Sequence, residues 1–167
     1  MSLSPLELPR TEGEGTLSLS ARDVMELPEI RSALEAHAMS WFPREACALL
    51  VERPTGPEAI LADNEQDRLH AMDPKAYPRT AETAYSLNPL LIERATQDGA
   101  RLVAIVHSHC RVGAYFSDKD QADAQCPFSD GPSPLHPGAE YVVLDAQDDG
   151  VRGYEIFGWS EKEGAFV

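Results

Sequence analysis

His107 and His109 stand one residue apart, and Asp120 follows eleven positions after the second of them. Two imidazoles and a carboxylate form a ligand set that suits a catalytic zinc, with the fourth position left to water. Zinc lowers the pKa of a bound water from about 15.7 to about 7, which provides a nucleophile near neutral pH. Ser117 lies three residues before Asp120, and Glu45 stands far upstream, just ahead of an apolar run. Each residue also has an ordinary structural reading. Ser117-Asp118-Lys119-Asp120 is a Ser-x-x-acid helix start, which needs no metal. Glu45 could be a plain strand-edge carboxylate. The cap and the ligand are compatible, because an acidic side chain in a first helical turn is held still and can face an ion.

Leu102 to Val106 is an unbroken apolar run and predicts a buried strand. Side chains alternate along a strand, so His107 and His109 share one face. A short loop and a helix from Ser117 to about Gln125 then bring Asp120 back towards them. The run Ala46 to Val51 predicts a second buried strand, with Glu45 at its start.

This arrangement resembles a known family. His107-x-His109, seven residues, Ser117, two residues and Asp120 match the signature of the JAMM (MPN, Mov34) metalloproteases. The upstream glutamate of that family sits in a Pro-x-Glu-x-Cys-Gly-type segment, and this chain has Pro43-Arg44-Glu45-Ala46-Cys47-Ala48. The resemblance runs from about Leu17 to Trp159. It implies one zinc per chain held by His107, His109 and Asp120, Glu45 as general base and acid, and Ser117 as oxyanion donor. It also implies an α/β fold: a mixed sheet flanked by helices, of the MPN type that is similar to cytidine deaminase. Two positions depart from the family. Ala48 replaces a usual Gly, and a methyl there is expected to matter little. Cys110 follows the second histidine and is expected to be a small buried side chain aimed away from the zinc.

The chain has 167 residues and a formal charge of −14, from 14 basic and 28 acidic side chains. That length predicts a single domain over residues 16–167 behind a mobile Pro/Gly/Glu/Ser-rich tail over residues 1–15. The acidic surface argues against nucleic acid as a partner. Three cysteines without a CxxC pair point to a reducing cytoplasm. No stretch reads as a secretory signal or a membrane span.

In chain order, Thr16 to Ser20 predicts a short edge strand, and Ser20-Ala21-Arg22-Asp23 a helix start. A clearer helix begins near Pro28, with Ile30, Leu34, Ala38 and Trp41 on one face, and ends before Pro43. A turn over residues 53–57 leads into a returning strand from Glu58 to Ala62. Residues 64–78 lack a period and predict a loop. Thr83 to Leu87 predicts a short strand, and Asn88-Pro89 opens a helix to about Gln97. Cys126 to Gly138 is a Pro-rich loop and a possible flap; His136 within it is expected at the surface. Ala139 to Asp145 and Val151 to Trp159 predict a hairpin around Asp148-Asp149-Gly150. Asn64 and Ala84-Tyr85-Ser86-Leu87 resemble family positions near the site.

The resemblance implies hydrolysis of an amide or isopeptide bond at the tail of a ubiquitin-like or sulfur-carrier protein, by a monomer or homodimer. The alternatives are a non-catalytic MPN scaffold that binds a protein partner and a phage-tail-assembly-like peptidase. A zinc deaminase would need His-x-Glu and Pro-Cys-x-x-Cys, which are absent.

Overall fold

The computed structural model describes residues 19–167. The expected tail over residues 1–15, and most of the expected edge strand at 16–20, lie outside that range; Leu19 and Ser20 are not in a strand. The chain opens with α1 (Ala21–Met25), whose start is a capping box: Ser20 and Asp23 each bond the other's backbone N–H. α2 (Pro28–Trp41) follows, with Pro at its first turn. Its Ile30, Leu34 and Ala38 are buried, as the spacing requires, and Trp41 packs partly against the same core.

A hairpin comes next, β1 (Cys47–Arg53) and β2 (Gly56–Ala62). After α3 (Gln66–Met72) and α4 (Pro89–Ala95), the chain enters β3 (Arg101–Cys110), then α5 (Asp118–Asp123), β4 (Glu140–Gln147) and β5 (Gly150–Phe157). The sheet order is β2-β1-β3-β4-β5. Only β3 and β4 run parallel. A parallel pair needs a crossover, and α5 with its Pro-rich loop supplies it. A separate two-stranded ribbon, β6 (Trp159–Ser160) with β7 (Ala165–Phe166), finishes the chain, so the last residues do not extend the main sheet.

Each face of the sheet buries its own core. Ala48 and Leu50 of β1, Ala104 and Val106 of β3, and Val142 and Leu144 of β4 pack against α1 and α2. Leu49, Val51, Ile105 and Tyr141 line the other face with Ala95 of α4 and Phe166. Burying a Leu or Val side chain is worth about 1.5–3 kcal/mol, so these alternating runs dominate strand placement. His107 and His109 share parity with Ile105 and therefore face the second side.

Two expectations are corrected. The stretch 64–78 is not a plain loop, because it contains α3. That helix is held by polar bonds rather than an apolar stripe: Gln66 Nε2 donates to the Arg79 carbonyl, and Asp67 accepts from the Ala81 N–H. Thr83 to Leu87 is not a strand. The Asn64 side-chain amide takes the Ala84 carbonyl and the Ser86 N–H, and the Ser86 carbonyl accepts from the Glu65 N–H, so no ladder runs along this segment.

Candidate metal centre

β3 carries its two histidines inside the strand, beyond the apolar run that feeds them in. His107 is fully buried, and His109 and Asp120 nearly so. The His107 and His109 Nε2 atoms lie 3.1 Å apart. Asp120 Oδ2 lies 3.3 Å from each of them. Asp120 arrives through its capping box: its backbone N–H donates to Ser117 Oγ (3.1 Å), and its carboxylate accepts from the Ser117 N–H (2.9 Å). The cap and the putting-in-place of the carboxylate are thus one structure.

These distances fit a zinc ion. Tetrahedral ligands at about 2.0–2.1 Å from zinc stand about 3.3 Å from one another. The hydrogen bonding fits as well. His109 Nδ1 lies 3.2 Å from the Gly113 carbonyl, an acceptor, so this nitrogen carries the proton. Gly113 aims that carbonyl from a left-handed conformation (φ +88°) that glycine adopts freely. With Nδ1 so engaged, His109 Nε2 is the ring nitrogen that faces the Asp120 carboxylate, as a shared cation would require. His107 Nδ1 is buried without a partner. Tyr85 stacks on the His107 ring at 4.3 Å, and Tyr115 meets the His109 ring edge-on at 4.8 Å, so aromatic walls hold both imidazoles. Among the described residues, this trio is the group of His, Cys, Asp or Glu side chains close enough to share an ion.

The electrostatics separate the roles. Burial lowers the His107 pKa and favours neutral imidazole. Burial works to raise the Asp120 carboxyl, but the neighbouring imidazoles and the Ser117 N–H outweigh it and hold it well below the usual carboxylate range. Glu45 goes the other way. Burial first, and then the charge of Asp120, push it from 4.5 up to about 8, against the opposing pull of Arg79 and Lys119.

Glu45 reaches the centre through strand register. Cys47 of β1 pairs with His107 and Ala48 with Val106, so continuing that register two residues back from Cys47 brings Glu45 beside His109. Glu45, His109, Ser117 and Asp120 line one cleft of about 160 Å³. Cys110 borders the same cleft. It is half-buried instead of buried, which corrects the expectation, because β3 ends there and the chain turns at Arg111 (φ +71°). Burial raises its thiol to about 11, so it stays protonated, and it is not in the ligand trio. His136 is half-buried and lies outside the trio, in the wall of a neighbouring groove. Tyr115 and Ser108 are positions that spacing alone does not single out; a serine between two histidines reads as a spacer until its partner strand is known.

Comparison with known proteins agrees with this geometry. A family model described as prokaryotic homologs of the JAB domain matches residues 27–154. The chain belongs to this family. Its fold is similar to the solution structure of a protein from Salinibacter ruber (strain DSM 13855), with a TM-score of 0.51 and 19% identity over 84% of each chain. A protein from Desulfitobacterium hafniense is similar at a TM-score of 0.46 and 19% identity, covering 77% of this chain and 86% of that one. No curated protein matches the chain. As a JAB-domain protein it carries a buried His-His-Asp group compatible with a metal ion such as zinc. None of the described helices is long and apolar enough to cross a membrane.

Proposed function

We propose that this JAB-domain chain is a zinc-dependent peptidase that hydrolyses an amide or isopeptide bond at the C-terminal tail of a ubiquitin-like or sulfur-carrier protein. The observation that carries this reading is the buried Glu45 sharing one small cleft with His109 and Asp120, two members of the His107–His109–Asp120 trio. When bound, zinc supplies Lewis acidity to the scissile carbonyl and to the attacking water. Glu45 takes the proton from that water and hands it to the leaving amine. Its raised pKa suits a group that must both accept and release a proton near neutrality, and a cation in the cleft draws it down towards the ionised form. Ser117 Oγ accepts from Asp120, which leaves its own O–H free to donate to the oxyanion.

The substrate class is supported by a larger groove next door, of about 900 Å³, which shares Arg79 with the cleft. Tyr77, Leu87, Ile92 and Leu135 give it apolar walls. It is large enough to hold several residues of an extended chain, and a narrow cleft beyond it suits a tail of small residues. Leu135 and His136 bring the 126–138 loop into the wall, as a flap over such a tail would require. All three cysteines are free, in keeping with a cytoplasmic setting.

The test uses zinc-loaded protein and a ubiquitin-like protein with a Gly-Gly tail fused to a reporter. Cleavage after Gly-Gly is expected, and Glu45→Gln and metal-stripped protein should both leave the fusion whole. Fusions that stay intact with zinc-loaded wild type overturn the peptidase reading and favour a binding role.

A further inference from the structure

The backbone around Glu45 is bonded in an unusual way. The peptide unit that follows it, made of the Glu45 carbonyl and the Ala46 N–H, is gripped at both ends by buried side chains. Asn64 Nδ2 donates to the Glu45 carbonyl at 2.8 Å. The Ala46 N–H donates to Ser108 Oγ, also at 2.8 Å. The Glu45 N–H itself donates to the Ala81 carbonyl at 2.7 Å. All the main-chain polar groups that set the direction of the Glu45 side chain are therefore fixed, although Glu45 lies just outside β1 and has no ladder to hold it.

Each of the two residues is also tied to the metal centre through the backbone. Ser108 is the residue between His107 and His109, is fully buried, and returns a second bond from its own N–H to the Ala46 carbonyl (3.0 Å). Asn64 is buried and uses its whole hydrogen-bonding capacity on backbone. Its second N–H goes to the Ala84 carbonyl, and its oxygen accepts from the Gln66 and Ser86 N–H groups, each at 3.0 Å. Ala84 and Ser86 flank Tyr85, whose ring backs His107. One amide thus ties the carboxylate segment to the ring behind a metal ligand, and one hydroxyl ties it to the strand bearing both histidines.

We propose that Asn64 and Ser108 are positioning residues that clamp the Glu45–Ala46 peptide plane and so fix the Glu45 carboxyl relative to the His107–His109–Asp120 trio. The proposal rests on the reading of Glu45 as proton carrier. Neither residue lines the cleft; each acts through Glu45. The β1–β3 ladder would keep the strands paired without them, so what the clamp adds is the last fraction of an ångström at Glu45.

The test compares wild type with Ser108→Ala, Ser108→Thr and Asn64→Asp, the last keeping Asn64's shape and acceptor while removing its donors. Crystal structures, zinc content by emission spectroscopy, and kcat and KM on the Gly-Gly-tailed fusion are measured. In Ser108→Ala and Asn64→Asp the Glu45 carboxyl should be displaced while zinc stays at one equivalent. Misplacing a reacting group by about 1 Å can cost about 100-fold, so kcat should fall by about 10- to 100-fold with KM little changed. Ser108→Thr, which keeps the hydroxyl, should recover most of the rate. A Glu45 that superimposes on wild type in the folded variants, or an undiminished kcat, overturns the proposal. If wild type cleaves no such fusion, the peptidase reading fails, and the position of Glu45 in the variant structures still decides the clamp. If Ser108→Ala does not fold, Asn64→Asp carries the same comparison.

Discussion

Replacing Glu45 by Gln should remove the activity and, in metal-free protein, make the fold more stable as the pH rises. Glu45 is 5% exposed, and its pKa is pushed from 4.5 to about 8. Below about pH 4.5 the carboxyl is protonated whether the chain is folded or not, and it favours neither state. Above that, the unfolded chain ionises freely while the fold must keep a proton on a buried group. Stability is therefore fully present below 4.5 and is lost as pH climbs towards 8, where both states are ionised. At 1.36 kcal/mol per pH unit, the whole interval corresponds to about 5 kcal/mol, and the part between pH 5 and pH 8 to about 3 to 4 kcal/mol. Gln keeps the shape and cannot ionise.

Thermal unfolding of EDTA-treated wild type and Glu45→Gln across that pH range checks this. For a chain of 167 residues, each kcal/mol moves Tm by about 2–4 °C. The variant's advantage should then widen by about 6–16 °C between pH 5 and pH 8. Asp120 stays ionised across that range, and taking the difference between the two proteins removes the titrations they share. Saturating zinc places a cation beside the carboxylate and should shrink the advantage. A difference in Tm that does not change with pH would refute the argument that burial of this one carboxyl governs the slope.

Zinc should bind at one equivalent per chain and raise Tm. At 100 times Kd the gain is about 2.7 kcal/mol, or about 5–11 °C, and His109→Ala should lose both the binding and the shift, as read by emission spectroscopy and thermal melts. Ser117→Ala removes a helix cap worth about 1 kcal/mol and an oxyanion donor worth about 100- to 1000-fold in kcat. Its rate on the fusion should fall far more than its stability. Cys110→Ala should leave the zinc stoichiometry at one, because the thiol is protonated and outside the trio; loss of zinc from the purified variant would contradict that assignment. Leu135→Arg puts a charge into the groove wall from a half-exposed position, so KM for the fusion should rise about 10-fold or more with the metal content unchanged.

The parts of this molecule that could be read from its sequence are those fixed by local rules. The run into His107 and His109 encodes a buried strand with both imidazoles on one face, and Ser117 with Asp120 encodes a cap that also orients a carboxylate. The two-residue turn at Asp148-Asp149 likewise announces its hairpin. What could not be read was settled by bonds across the chain. α3 has no apolar stripe and no capping side chain at Glu65; it persists because Gln66 and Asp67 bond to the 79–81 backbone. Tyr85 and Leu87 alternate inward like strand residues, but Asn64 occupies the backbone groups a neighbouring strand would need.

The same distinction divides the centre itself. Spacing within one segment brings His107, His109 and Asp120 together, whereas Glu45 joins them only if β1 and β3 pair in one register. A slip of one residue would turn Glu45 to the opposite face, towards α2 and away from the histidines. The alternation of Ala48 and Leu50 against Leu49 and Val51 opposes that slip, since it would exchange the two cores. The apolar pattern of β1 thus does more than build a sheet: it selects which acidic side chain meets the histidines, and the buried bonds of Ser108 and Asn64 then narrow that selection to a single position.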